Sequence, residues 1–190
     1  DPPTRAAMLR DLGRRRATRG LPVLAAGFDG DAEERAAACY GVAERGLAGD
    51  DVPEALRRQV ASLLDGDQPV EVRLACAFAL ARLPPATGEE AARGAVVALG
   101  LATADPDPDV RAYAYRALGR HAGADLATLA HGARDGAWTV AVQAVTALGA
   151  RASEEGGPPL LASTLRAVLA GTDLETPRVH VLLAALSAAE

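Results

Sequence analysis

The chain repeats itself, and that limits its fold more than any other feature. The run DPDPDVRAYAYRALGR, residues 105–120, has a copy 38 residues earlier. There Asp67, Val72, Arg73, Ala79, Leu80 and Arg82 take the places of Asp105, Val110, Arg111, Ala117, Leu118 and Arg120. A further 38 back, Asp29, Glu33, Arg35, Tyr40 and Val42 keep the register, and 30 before that Arg5 and Leu12 precede Gly13 and Arg14. Forward the step is 30, to Asp135, Val140, Ala144, Ala147, Leu148 and Gly149. A last copy, 38 on, holds Leu182, Ala185 and Leu186, with Val179 in the arginine place and Asp173 as the turn acid after a slip in the loop. The 105–120 unit opens on Asp and Pro residues, which suit a turn and the first residues of a helix. Val110, Ala114, Ala117 and Leu118 then share one face of a 3.6-residue period, so the unit contains an amphipathic helix that needs a neighbour to cover it.

Six such units at steps of 30 or 38 residues predict an all-α solenoid of stacked antiparallel helix pairs, with about eleven helices in one domain over residues 1–190. The unit boundaries fall near 1–17 (partial), 18–47, 48–83, 86–121, 122–150 and 151–190. First helices are expected near 20–28, 53–65, 88–103, 124–132 and 159–171, and second helices near 4–17, 33–47, 70–83, 109–121, 138–150 and 177–189. Pro22, Pro53, Pro69, Pro108, Pro159 and Pro177 lie at those starts, and Pro84 and Pro85 follow an end. Gly46, Gly49, Gly66, Gly123, Gly156 and Gly171 mark stops where φ is often positive. The chain starts in a turn and stops after a helix, which suggests a piece of a longer protein.

The pattern D-P-x-x-x-V-R-x-x-A-x-x-A-L-G-R and its degenerate copies resemble the HEAT-repeat family, including the short bacterial units labelled PBS-lyase HEAT-like repeats. That resemblance implies an α-α superhelix whose second helices line a concave surface. It says little of function, because the family includes scaffolds, enzyme subunits and a few enzymes.

Apolar residues make up 49% of the chain but aromatics only 3%, so Ala, Leu and Val must fill the core. Val96, Val97 and Leu101 in one first helix, and Leu56, Val60, Leu63 and Leu64 in another, read as core faces. Cys39 and Cys76 occupy adjoining positions of consecutive second helices on an alanine-rich face, and are expected as packed, reduced thiols. No window approaches the roughly 18 consecutive apolar residues of a membrane span, and no basic-then-apolar leader opens the chain. The expected location is the cytoplasm.

Chemistry finds little purchase. Asp105, Asp107 and Asp109 alternate as in a calcium loop, but Val110 and Arg116 stand where that loop needs Gly and Glu, so the acids are expected to cap the next helix. His121, His131 and His180 lack metal-ligand spacing, and no nucleophile motif or phosphate loop is present. The sequence therefore predicts no catalytic residue, no metal and no cofactor: a protein that is not an enzyme.

Two columns of side chains remain. The resemblance implies that Arg5, Arg35, Arg73 and Arg111, with the turn acids Asp29, Asp67, Asp105 and Asp135, form a structural ladder joining neighbouring units; Ala141 and Val179 break it in the last two. The second column lies opposite the apolar stripe of the second helices, at the places of Tyr113, Arg116 and Arg120. It carries Arg10, Arg14, Tyr40, Phe78, Arg82, Tyr113, Arg116 and Arg120, so aromatics alternate with arginines, a composition typical of interface anchors. The formal net charge is −5, yet this column holds five arginines against Glu44. The expected function is a non-catalytic scaffold that grips an acidic or mixed protein or peptide partner on the concave face. Alternatives are a nucleic-acid-binding module, disfavoured by an acidic chain in which all 20 cationic residues are arginine, and a bilin-lyase-like or enzyme-accessory subunit. The apolar ends of a solenoid also allow end-to-end self-association.

Overall fold

The computed structural model describes residues 2–15, 18–154, 157–170 and, beyond these, 180, 181, 184 and 187. Among the described residues it is all-α. In order the helices are α1 (Pro2–Arg14), α2 (Leu21–Gly27), α3 (Ala32–Leu47), α4 (Glu54–Ser62) and α5 (Val70–Leu80). They continue as α6 (Glu89–Ala102), α7 (Pro108–Leu118), α8 (Leu126–Gly132), α9 (Trp138–Ala150) and α10 (Gly157–Ala170). The expected helix over 177–189, with Val179, Leu182, Ala185 and Leu186, falls largely outside the described residues, as do Gly156, Gly171, Asp173 and Pro177. No described helix is long and apolar enough to cross a membrane.

The helices form two layers. The second helices α1, α3, α5, α7 and α9 pack in an unbroken row, each on the next. In the other layer α4 packs on α6 and α8 on α10, whereas α2 and α4, and α6 and α8, touch sparsely or not at all. Length explains part of the difference, since α2 and α8 have only seven residues each.

Small residues set the spacing of the row. A Cβ on Gly13 would sit 2.3 Å from the Gly41 carbonyl oxygen, and one on Gly119 would sit 2.6 Å from the Ala147 Cβ. Gly13 and Gly119 are the same register position, as are Gly41 and Ala147, so one small-on-small contact recurs at both ends of the row. Between these ends Ala37, Ala38, Ala75, Ala77, Ala79, Ala114 and Ala117 are fully buried, and Val72, Val110, Val140, Leu118 and Leu148 supply the larger side chains of the seam.

The sequence expectations need four corrections. Cys39 and Cys76 are joined by a disulfide across α3 and α5, with their Cα atoms 5.1 Å apart. The alanine-lined approach of these helices brings the two Cα atoms within the range a disulfide spans, which register in the sequence alone does not report. Val97 and Leu101 are 60% and 74% exposed, and the buried face of α6 is instead Ala91, Ala95, Leu99 and Ala102. Gly49 is the only described glycine with positive φ, and Gly46 lies inside α3 rather than after it. The second-helix column is also narrower than it reads in sequence, since Ala37 and Ala75, which stand at the place of Tyr113 in the two preceding units, are fully buried between flanking helices.

Candidate functional site

Ion pairs tie the units together along the turns. Arg73, Arg111 and Arg35 occupy one register position, and each donates Nη1 to a carbonyl of its own turn, at Gln68, Pro106 and Gly30 respectively. Arg73 then reaches the next unit with two bonds to Asp105, Nε–Oδ2 2.7 Å and Nη2–Oδ1 3.0 Å. Arg111 does the same with Asp135, at 2.9 Å for both bonds. The two carboxylates also accept from the backbone of their own turns, Asp105 from the Asp107 N–H and Asp135 from the Ala137 N–H. Burial works against both charges, but hydrogen bonds from arginine and backbone, reinforced by nearby positive charge, outweigh it and hold both carboxyls below the ordinary aspartate value. Asp107 caps α7 by accepting from the Asp109 and Val110 N–H groups, so of the acids that alternate there Asp105 and Asp107 are engaged in turn and cap bonds.

At the start of the stack the pairing differs. Arg5 meets Glu34 at 3.0 Å rather than Asp29, which is exposed. Arg35 makes no ion pair with Asp67, and its buried Nε has no partner. Glu34 is the acid that the reading of turn residues missed. It occupies the register position of Val72, Val110 and Val140 and is almost fully buried. A charge at a place otherwise kept apolar was the available signal, because a buried carboxylate demands a partner.

The second-helix face gathers the aromatic residues. The Tyr40 and Phe78 ring centroids are 5.4 Å apart and edge-on, and Phe78 meets Tyr113 edge-on at 5.3 Å. Arg10 lies over Tyr40 at 5.4 Å and Arg82 stacks on Phe78 at 3.6 Å, cation–π distances that bracket the row. Tyr40 and Phe78 are one register position on adjacent helices, and Arg116 is its next member. Tyr113 comes from one turn earlier in α7, so the aromatic row crosses the helices diagonally.

Beside the row is a depression of about 430 Å³ bordered by Tyr40, Phe78, Tyr113, Arg116, Asp109 and Trp138. Trp138 stacks on His180 at 5.0 Å. Arg10, Arg14 and Arg116 are exposed and form no ion pair among the described residues. Arg120 is partly engaged, donating to the Ala81 carbonyl one unit back at 3.2 Å. The Nε and Nη1 atoms of Arg82 are buried without a hydrogen-bond partner, so its guanidinium is held chiefly by the Phe78 ring. The face thus offers rigid apolar plates and a charged rim in which Arg14 and Arg116 are exposed and form no ion pair among the described residues, an arrangement suited to non-covalent recognition.

Comparison with known proteins agrees with this architecture. Residues 95–173 match the family of HEAT repeats. None of the curated proteins matches the chain in sequence. Among solved structures the chain resembles an engineered protein at 19% identity and a TM-score of 0.69, covering 99% of this chain and 92% of that one. It also resembles a designed armadillo repeat protein in complex with the peptide (KR)4, at 19% identity and a TM-score of 0.68, covering 97% and 91% of the two chains. A computationally designed armadillo repeat protein for modular peptide recognition gives 17% identity and 0.62, covering 97% and 92%. At these identities the likeness is one of fold.

Proposed function

We propose that this HEAT-repeat solenoid is a non-catalytic scaffold whose second-helix face holds a protein or peptide segment of acidic or mixed charge. The observation that carries the reading is the edge-on row Tyr40–Phe78–Tyr113 bordering a depression. Rings fixed against one another lose little rotamer entropy when a partner covers them, and such aromatics with arginine dominate interface energetics. Arg10, Arg14 and Arg116 supply the charge that would select an acidic segment and speed its encounter. The designed repeat proteins of similar fold, one in complex with the peptide (KR)4 and one designed for modular peptide recognition, support a peptide-binding reading, while the charge preference proposed here rests on this chain's own residues. Arg73 with Asp105, Arg111 with Asp135 and Arg5 with Glu34 serve, in this reading, to hold the units in register rather than to touch the partner, while Arg35 is tied only to its own turn and Asp29 and Asp67 stay outside the ladder.

Selection of displayed random peptides against the whole chain tests the proposal. Enriched peptides should carry acidic and apolar residues, and Tyr113→Ala with Arg116→Ala should weaken them by about 2–4 kcal/mol while leaving the helical content unchanged. Selection of basic peptides, or equal binding by the double variant, would overturn it. The proposed location is the cytoplasm, a reducing compartment in which the Cys39–Cys76 disulfide would exchange with its dithiol form. Alkylating protein taken directly from cells reads that state.

A further inference from the structure

One register position carries Arg45, Leu83, His121 and Arg151 in successive units. Both arginines are almost wholly buried, and each meets an acid of its own loop: Arg45 with Asp50 at 3.5 Å, Arg151 with Glu154 at 2.5 Å. Arg151 also donates to the Ala122 and Ala124 carbonyls. Leu83 and His121 are shorter, and beside them an apolar hollow of about 800 Å³ opens between α4 and α6, within the size range of small-molecule sites. Its walls include Leu64, Leu80, Ala95 and Ala98, and the exposed Val97 and Leu101 border it.

His121 is 6% exposed, and its side chain makes no hydrogen bond among the described residues. Its ring nitrogens are not among the side-chain atoms sealed from solvent, so the imidazole is a polar group that a ligand entering the hollow can reach. Burial, then the charges of Arg120, Arg57 and Arg151, push its pKa down and keep it neutral, with one N–H to give. Arg57 spends its hydrogen bonds on the Val52 and Pro84 carbonyls, and Arg120 on Ala81, so these bonds leave both charges unneutralised. Asp51 and Glu54 act on Arg57 only through space. Of the acids bordering the hollow, Asp105 is taken by Arg73, while Asp65 and Glu90 are exposed. The deep end is therefore apolar, electropositive and short of one acceptor. With so little of His121 exposed, a narrow head group fits it better than a helix would.

We propose that the hollow between α4 and α6 binds an apolar molecule with one anionic head, in the class of a medium-chain carboxylate. His121 donates to the head, and the leucine and alanine walls hold the chain. The site is separate from the second-helix face and does not depend on the function proposed for it.

Titration of the whole chain with the fluorescent probe anilinonaphthalene sulfonate should show one saturable site. Decanoate should displace the probe, and decanol should do so about tenfold less well, the equivalent of one charge-assisted bond. Leu101→Glu changes an exposed position, leaves the fold intact, and should weaken decanoate by about tenfold or more by setting a charge on the apolar wall. His121→Leu should still bind decanol but lose the preference for decanoate. The proposal is overturned if binding does not saturate, if Leu101→Glu binds decanoate undiminished, if decanol equals decanoate in the unaltered chain, or if the preference survives in His121→Leu. Should His121→Leu fail to fold by circular dichroism, Leu101→Glu and the decanoate–decanol comparison decide.

Discussion

Arg73 and Asp105 form the best-buried ion pair between units, with side chains 9% and 4% exposed. Removing one partner leaves the other charged and buried, so Asp105→Asn should lower stability by about 3–5 kcal/mol in urea unfolding at neutral pH. The double change Arg73→Met with Asp105→Leu should cost less than either single change, because nothing charged is left behind. The pH dependence has a fixed sign. The folded Asp105 and Asp135 carboxyls lie below the ordinary value of 3.8, so the stability they contribute is fully present above it and drains away as pH falls through the lower folded values. The gap between the unaltered chain and Asp105→Asn should therefore close only in acid. The places of these residues were legible in the repeat, since equal steps put equal side chains in line. Which acid meets Arg5 was not, because Glu34 interrupts a valine column and only packing decides that it turns back toward α1.

At the level of the helix, glycine has opposite effects in two places. Gly13 of α1 abuts the Gly41 backbone, and backbone cannot yield, so Gly13→Ala should destabilise by about 1–3 kcal/mol or more. Gly94 of α6 faces open space, and Gly94→Ala should stabilise by about 0.5–1 kcal/mol through a smaller entropy loss and better helix propensity. Thermal melts of the two variants should move in opposite directions. Leu118→Ala, at a side chain 1% exposed in α7, should cost about 2–5 kcal/mol. Helix positions followed from proline placement and period, and α2 to α9 lie within a few residues of where the sequence puts them. The inward face of α6 did not follow. In a layer covered on one side only, Ala91, Ala95, Leu99 and Ala102 point inward, and the larger Val97 and Leu101 are left outside with nothing in the sequence to distinguish them.

Across the whole molecule, the disulfide links the second and third helices of the row, closing a loop with a sequence separation of 37. A loop of that size should contribute about 3–4 kcal/mol by restricting the unfolded chain. Chemical unfolding with and without dithiothreitol should differ by that amount, and Cys39→Ala should behave like the reduced protein with no further loss on adding reductant. The solenoid itself was legible because one pattern recurs in every unit. The binding face was legible only as a column of residue types, since the edge-on contacts of Tyr40, Phe78 and Tyr113 depend on distances between helices. The two layers also differ as mechanical parts. A row of second helices with no gaps resists stretching like a seam, while the first-helix layer has slack at α2–α4 and α6–α8. Pulled from its ends, such a rod lengthens by hinging open on the slack side, so tension would reshape the outer surface well before it parted the aromatic row.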